Sequence, residues 1–265
     1  MSFLEKVILI TGASSGIGAA TAIYFAELGA HIALVARNSE SLKIIHEKCV
    51  QAAAKYSSKF RPLAIVADVT TDAQRVIDET IKEFGKLDVL VNNAGVGGHC
   101  SIEADNLLEL YDKAINTNLR SVLQLTHLAV PYLIKTKGNV VNVSSVAGLR
   151  SSINALPYNI SKAALDQFTK CISLELAPKG VRVNSINPAF IVTNFQLNFG
   201  LSKEIYTKLV ADSEAMHPVQ RNGTTKDCVL AIAFLASDNS SFITGTLLPV
   251  DGGRVNVWPR YKNEQ

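Results

Sequence analysis

A short apolar run near the start of the chain leads directly into a glycine-rich turn and then into a helical pattern. Val7 to Ile10 are all aliphatic, which predicts a strand buried on both faces of a sheet. The turn Thr11–Gly18 follows, and Ala19–Leu28 predicts a helix that stops at Gly29. This order brings backbone N–H groups and the positive end of a helix dipole to one place, which favours phosphate binding.

The three glycines of the turn have separate expected roles. Gly12 permits a tight turn, Gly16 lets a pyrophosphate approach the backbone, and Gly18 lets the helix pack closely on the strand. Their spacing is G-x-x-x-G-x-G and so departs from the general dinucleotide pattern G-x-G-x-x-G. A flexible turn without a ligand therefore remains the alternative.

The alternation of apolar runs and helical patterns continues along the chain. Further strands are predicted at residues 31–36, 63–67, 88–91, 140–145 and 181–187. Helices are predicted at about residues 39–55, 72–84, 105–135 and 225–236, and one more carries Tyr158. Strands that alternate with helices predict a parallel sheet with right-handed crossovers. No linker or internal repeat divides the chain, so we expect one α/β domain over residues 1–265.

Glycines and polar residues follow several of the predicted strands. In a doubly wound sheet, ligands bind beyond the carboxyl ends of the strands. The residues at such ends are Gly12 to Gly18, Arg37, Asp68, Asn93, Ser145 and Pro188. We therefore expect one cleft to collect them.

Arg37 ends the second predicted strand, where the adenosine ribose of a dinucleotide would lie. No acidic residue stands at positions 36–38 to bind the ribose hydroxyls of NAD. Arg37 could instead pair with the 2′-phosphate of NADP through charge-assisted hydrogen bonds. The sequence thus favours NADP(H), and a solvated cation at a strand end is the alternative for Arg37.

Ser145, Tyr158 and Lys162 bring a hydroxyl, a phenol and an ammonium to one part of the chain. Tyr158 and Lys162 are four residues apart and share one face of a helix, and Ser145 follows the preceding strand. A cation about 5 Å from a phenol, at an effective dielectric near 20, lowers a phenol pKa of about 10 by roughly 2 units. Lys162 is thus predicted to poise Tyr158 for proton transfer, with Ser145 hydrogen-bonded to a substrate oxygen. Ordinary solvated helices also carry such Tyr–Lys pairs.

Charge and cysteine content argue against several other classes of protein. The net charge is +3 and no dense Lys/Arg run occurs, so no nucleic-acid partner is expected. The four cysteines are widely separated, which argues against a disulfide framework or a zinc site and fits a reducing compartment. No segment approaches the roughly 18 apolar residues of a membrane span. A cytoplasmic protein without a bound metal is therefore the default expectation.

Residues 189–220 interrupt the alternation of strands and helices. Aromatic side chains, among them Phe190, Phe195 and Tyr206, are spread here between polar residues. A long excursion at the cleft end of a sheet predicts a lid over a ligand. The aromatics favour a lipophilic ligand, although packing beneath the lid explains them equally well.

Together, these features resemble the short-chain dehydrogenase/reductase family, in its single-domain branch. The matching motifs are Thr11–Gly18, Asp68-Val69, Asn92-Asn93-Ala94-Gly95, Asn118, Ser145, Tyr158 with Lys162, Pro188 with Thr193, and Asp251-Gly252-Gly253. They cover nearly the whole chain, from Lys6 to about Arg254. The resemblance implies a Rossmann-type, doubly wound parallel sheet of seven strands in the order 3-2-1-4-5-6-7, with helices on both faces.

The resemblance also implies residue roles. Tyr158 would be the general acid and base, Lys162 would hold the nicotinamide ribose, and Ser145 would polarise the substrate carbonyl. Asn118 would hold a water molecule of a proton relay, or would be a polar group satisfied at a helix kink. The implied cofactor contacts are Gly12, Ser14, Ser15, Gly16, Ile17, Gly18, Arg37, Asn38, Asp68, Val69, Asn93, Ala94, Gly95, Tyr158, Lys162, Pro188, Ile191 and Thr193.

The chain departs from the family pattern in two places. Pro188-Ala189 stands where the family commonly has Pro-Gly, but the contacts there come mostly from the backbone, so cofactor binding is expected to persist. The tail at residues 254–265 extends past the usual end and could pack on a neighbouring subunit. Members of this kind usually form tetramers through the helices that carry Asn118 and Tyr158, which implies a homotetramer.

The leading functional hypothesis is an NADP(H)-dependent oxidoreductase that acts on the ketone or alcohol of a lipophilic small molecule. A 3-oxoacyl reductase that takes acyl-carrier-protein or CoA substrates is the nearest alternative. It would need a basic docking surface, for which Arg150, Lys203 and Lys208 are the candidates. A non-catalytic NADPH sensor or scaffold is a third hypothesis, which the presence of Ser145 and Tyr158 disfavours.

Overall fold

Seven parallel strands form the central sheet of the protein. The computed structural model describes residues 3–54, 56, 62–199 and 201–257. The strands are β1 Val7–Thr11, β2 His31–Ala36, β3 Leu63–Val66, β4 Val89–Asn92, β5 Asn139–Val143, β6 Arg182–Pro188 and β7 Leu247–Val250. Their order across the sheet is β3-β2-β1-β4-β5-β6-β7, with every neighbouring pair parallel. The predicted fold class and strand order are confirmed.

Eight α-helices accompany the strands in the described part of the chain. They are α1 Gly16–Glu27, α2 Ser39–Ala53, α3 Ala73–Phe84, α4 Leu107–Ile115, α5 Ser121–Thr136, α6 Leu156–Leu176, α7 Lys203–Glu214 and α8 Thr225–Ala236. None of these described helices is long and apolar enough to cross a membrane.

The side chains of β1 show why this strand lies at the centre of the sheet. Ile8 and Ile10 pack into a buried cluster with Phe25 of α1. Val7 and Leu9 point to the other side and pack into a second cluster with Leu133 of α5. The strand is therefore covered on both faces, as its unbroken aliphatic sequence predicts.

The helix predicted over about residues 105–135 is divided into three parts. A π-helical segment, Asn116–Arg120, separates α4 from α5. Such a segment inserts a wider turn into the helix and is found frequently at functional sites. It contains Asn118, whose side chain is buried.

The structure describes most of the predicted lid at residues 189–220 but only the beginning of the C-terminal tail at 254–265. The segment at 189–220 contains α7 and borders the cleft at its beginning. The tail contains a short 3₁₀ turn at Arg254–Asn256. Its residues from 258 onward lie outside the described residues, so its predicted packing on a neighbouring subunit stays a prediction.

Candidate active site

One cleft of about 800 Å³ opens at the carboxyl ends of the strands. Most of the predicted site residues line it. These are Gly12, Ser14, Ser15, Gly16, Ile17, Arg37, Asp68, Val69, Asn93, Ala94, Gly95, Ser145, Tyr158, Lys162, Pro188, Ile191 and Thr193. Gly18, Asn38 and Asn118 are absent from the cleft wall.

The glycine turn forms the floor at one end of this cleft. Gly12 and Gly16 have φ angles of 64° and 54°, a backbone conformation that favours glycine. Ser15 caps the N-terminus of α1, but its side chain makes no capping hydrogen bond, which leaves the first N–H groups of the helix available. Free backbone N–H groups at a helix N-terminus form hydrogen bonds with a pyrophosphate. The turn therefore fits a dinucleotide.

Thr11 and Asn93 hold the glycine turn against the end of β4. The Thr11 hydroxyl accepts hydrogen bonds from the backbone N–H groups of Asn93 and Ala94, each at 2.9 Å. The Asn93 amide in turn donates to the carbonyls of Thr11 and Gly12, at 2.8 and 3.2 Å. The Thr11 contribution was not predicted from the sequence, because it depends on which strands are neighbours.

Arg37 and Asp68 lie together at the far end of the cleft, beyond β2 and β3. The Arg37 Nη1 is 3.7 Å from Asp68 Oδ2, and both side chains are partly exposed. Burial raises the pKa of Asp68, but two hydrogen bonds from Thr70 and the charge of Arg37 outweigh it and lower the pKa. Asn38 instead caps α2, with its side chain accepting from the Ser41 N–H at 2.8 Å.

Ser145, Tyr158 and Lys162 meet at the end of β5. Ser145 is two residues beyond that strand, and its Oγ accepts from the Ala147 N–H at 3.1 Å. Tyr158 lies in the first turn of α6 and Lys162 one turn later, almost fully buried. The Lys162 Nζ donates to the Val143 carbonyl at 2.9 Å and is 5.8 Å from the centre of the Tyr158 ring.

Burial controls the protonation of Tyr158. Loss of water raises its pKa, the hydrogen bond with the Ser145 side chain lowers it, and the negative charge of Asp166 raises it further, for a net increase. The net direction is therefore opposite to the lowered Tyr158 pKa that the sequence predicts. The simple Coulomb argument omitted the cost of placing a phenolate in a site with little water.

A buried carboxylate lies behind this group. Asp166 accepts from the Asn187 amide at 3.0 Å, and the same amide donates to the Ser145 carbonyl at 2.9 Å. Burial lowers the pKa of Lys162 to about 8, while the charge of Asp166 opposes that decrease. Neither Asp166 nor Asn187 was singled out from the sequence, since no local pattern distinguishes them from other polar residues.

The Asn118 side chain is fully engaged within the protein. Its Oδ1 accepts from the Val96 N–H at 2.8 Å, and its Nδ2 donates to the Val96 carbonyl and the Ser161 Oγ at 2.8 and 2.9 Å. Gly95 is close enough that an added Cβ would lie 3.3 Å from Asn118 Oδ1 and 3.8 Å from Lys162 Nζ. Asn118 thus fixes the loop after β4 beside Lys162, and its role towards a water molecule stays a prediction.

The segment after β6 supplies the apolar wall of the cleft. Phe190, Ile191 and Phe195 line it, and the Phe195 and Tyr158 rings are 6.2 Å apart. The Tyr206 hydroxyl donates to the Thr193 carbonyl at 2.9 Å and so ties α7 to this wall. Within the described residues, no three acidic, histidine or cysteine side chains come together as metal ligands.

The cleft thus combines a dinucleotide cradle with a Ser–Tyr–Lys group at the adjoining strand end, which is the arrangement of a nicotinamide-dependent oxidoreductase. A family model described as enoyl-(acyl carrier protein) reductase matches residues 12–254. The chain belongs to the short-chain dehydrogenase/reductase family, whose members use NAD or NADP.

Three relatives illustrate the range of the similarity. A 3-oxoacyl-[acyl-carrier-protein] reductase of Thermotoga maritima is 36% identical over 94% of this chain and 98% of its own length. Glucose 1-dehydrogenase of Gluconobacter oxydans is 35% identical over 95% of this chain and 92% of its own. A short-chain dehydrogenase/reductase of unknown function from Caenorhabditis elegans, solved with cofactor, has a TM-score of 0.89 at 36% identity and 97% coverage of both chains.

Proposed function

We propose that the protein is an NADP(H)-dependent oxidoreductase that interconverts a ketone and an alcohol, with Tyr158 as general acid and base. The observation that carries this proposal is the Ser145–Tyr158–Lys162 group beside the glycine cradle, in one cleft. The apolar wall formed by Phe190 and Phe195 supports a substrate whose body is lipophilic. A bound nicotinamide would supply the hydride, and the protein positions the reactants.

Each residue of the group has a distinct task in ketone reduction. Since burial raises its pKa, Tyr158 stays protonated near neutrality and can donate its proton to the carbonyl oxygen as negative charge develops there. Ser145 offers a second hydrogen bond to that oxygen, while its Asn187 contact fixes the local backbone. Lys162 is held beneath Tyr158 through the Val143 carbonyl, in position to stabilise the phenolate that proton donation leaves.

Replacing Tyr158 with Phe tests this role. Tyr158→Phe removes the hydroxyl and keeps the ring packed near Phe195, so ketone turnover should fall by at least a factor of about 1,000. NADPH affinity, measured by titration of nucleotide fluorescence, should change little. Substantial residual turnover would remove Tyr158 from the role of general acid.

The preference for NADP(H) rests on Arg37. Its guanidinium is largely exposed at the end of β2, and the paired Asp68 lies on the neighbouring strand end. An exposed ion pair contributes little free energy, so Arg37 could leave Asp68 and pair with a 2′-phosphate at a small cost in free energy. Arg37→Asp would place a second carboxylate beside Asp68 and should repel that phosphate.

The ratio of NADPH to NADH affinity measures this preference. Arg37→Asp should reduce the ratio by about tenfold or more, whereas Arg37→Lys, which keeps the charge, should reduce it less. An unchanged ratio in Arg37→Asp would show that Arg37 does not contact the 2′-phosphate.

A 3-oxoacyl thioester reductase is the second candidate function. Relatives with that activity cover nearly the whole chain, and Arg150 lines the cleft. Comparing kcat/KM for apolar ketones with that for acyl thioesters, at saturating NADPH, distinguishes the two functions. A clear preference for thioesters would favour the second.

A further inference from the structure

Arg254 lines the cleft just after β7, at the opposite edge of the sheet from the strands that carry the Arg37–Asp68 pair. It follows β7 in the turn Asp251–Asn256, and its half-buried side chain lines the cleft together with Phe195 and Ser152. The Asp251 carboxylate accepts from the backbone N–H groups of Gly253 and Val255, at 2.9 and 2.7 Å. These bonds fix the backbone on both sides of Arg254.

The guanidinium of Arg254 has no hydrogen-bond or ion-pair partner among residues 3–54, 56, 62–199 and 201–257. Other arginines are differently placed: Arg182 donates to the Leu235 and Ser237 carbonyls, and Arg221 pairs with Asp227. Burial lowers the pKa of Arg254, and the charge of Asp251 opposes that decrease. A partly desolvated cation with unused donors is costly unless an anion joins it.

A second cation lies beside Arg254. The Arg150 Nη1 donates to the Val255 carbonyl at 2.7 Å and to the Val257 carbonyl at 3.1 Å, which brings the two arginines to the same rim. Asp68 is the only acidic side chain among the described residues that line the cleft, and it lies beside Arg37 at the other end. Among the described residues, no acidic side chain therefore lines the part of the cleft where Arg150 and Arg254 lie.

We propose that Arg254 binds an anionic group of the substrate, a carboxylate or a phosphate, and so selects ketones whose lipophilic body carries a negative charge. This inference rests on the proposed function, because it concerns the compound that is reduced at Tyr158. Arg254 presents the planar set of donors that matches a carboxylate or phosphate. Phe190 and Phe195 contact the apolar body between the charge and the carbonyl.

Binding to the complex of the enzyme with NADP⁺ tests the inference without any turnover, since an oxidised cofactor cannot reduce a ketone. Isothermal calorimetry would compare two matched pairs of ligands. Acetoacetate and acetoacetamide differ in the carboxylate alone, and acetoacetyl-4′-phosphopantetheine differs from acetoacetyl-pantetheine in the phosphate alone. In at least one pair, the anion should bind about tenfold more tightly than its neutral partner. The pair that shows this preference identifies the source of the anion.

Two substitutions assign the preference to Arg254. Arg254→Gln should reduce the preference to less than about twofold and leave the affinity for the neutral ligand unchanged, and Arg254→Lys should retain part of it. The inference would be overturned if, in each pair, the anionic and the neutral ligand bound equally tightly or neither bound detectably. So would an Arg254→Gln variant that keeps the preference or weakens both members equally. Turnover of neutral ketones with NADPH is measured separately and reports on the proposed function alone.

Discussion

At the scale of one residue, the buried ammonium group of Lys162 lowers the free energy of unfolding. Its side chain is 4% exposed, and its Nζ donates a hydrogen bond to the carbonyl of Val143. Burial lowers its pKa from 10.5 to about 8, although the charge of Asp166 acts in the opposite direction. The folded protein therefore binds fewer protons than the unfolded chain between about pH 8 and 10.5. The unfavourable contribution of Lys162 is complete below pH 8 and decreases as the pH rises through that range.

We expect Lys162→Met to remove this pH dependence. In the wild type, the Lys162 contribution makes the free energy of unfolding rise between pH 8 and 10 by about 1 kcal/mol per pH unit. Urea unfolding of both proteins at pH 7, 8, 9 and 10 would measure the difference between them. Lys82→Met, which removes an exposed lysine of α3, is the control and should follow the wild type. Parallel curves for the wild type and Lys162→Met would contradict the prediction.

At the scale of an element, α1 depends on Gly18, which packs closely against the glycine turn and the Asn93 side chain. A Cβ at Gly18 would overlap the Asn93 amide nitrogen and the Gly12 carbonyl oxygen. The Gly12 oxygen is a backbone atom, so it cannot rotate away as a flexible side chain would. Gly18 therefore lets the N-terminus of α1 approach the turn that we expect to hold the pyrophosphate.

Gly18→Ala should weaken both the fold and cofactor binding. Alanine is the better helix former by about 1 kcal/mol, but forcing the turn apart should cost more, for a net loss of about 1–3 kcal/mol in the free energy of unfolding. NADPH affinity should fall as well, since the N–H groups of the turn move. Gly98→Ala is the matched control, because nothing lies within 4 Å of the position of its added Cβ. Equal stability and affinity in the two variants would show that the turn accommodates the methyl group.

The interrupted helix is the element that sequence patterns describe least well. Apolar periodicity predicts one helix over residues 105–135. The helical conformation is correct for α4 and α5, but the π-helical segment between them was not predicted. The π-helical segment between them accompanies the contacts of Asn118 with Val96 and Ser161, which lie far from it in sequence. A pattern within the helix cannot reveal those partners, because they arrive only when β4 and α6 pack against it.

At the scale of the whole molecule, sequence predicts the sheet well and the substrate end of the cleft poorly. Buried aliphatic runs such as β1 are visible because both faces need apolar residues. The edge strand β7 is half-exposed and contains Pro249, so it was expected only through the resemblance to the family. Arg254 was not recognised as a site residue, because its place in the cleft depends on the turn held by Asp251.

Exposed leucines on the helices beside the cleft support the expected homotetramer. Leu108 of α4 is 74% exposed and Leu174 of α6 is 77% exposed in the single chain. Relatives of this family are typically oligomers, and the resemblance places their contacts on these helices. We therefore expect the wild type to have a mass in solution of about four times the 28.5 kDa of one chain.

Leu174→Glu should shift the protein to a smaller assembly, as measured by size-exclusion chromatography with light scattering. Glutamate forms helices almost as well as leucine, so α6 should persist while the charge resists burial against a second copy. Ile44→Glu is the control, since Ile44 is 53% exposed on α2, at the other end of the sheet. It should leave the mass unchanged. A monomeric wild type, or an unchanged mass for Leu174→Glu, would place the interface elsewhere or exclude it. Circular dichroism would show whether the smaller assembly keeps its helices, which separates lost association from lost folding.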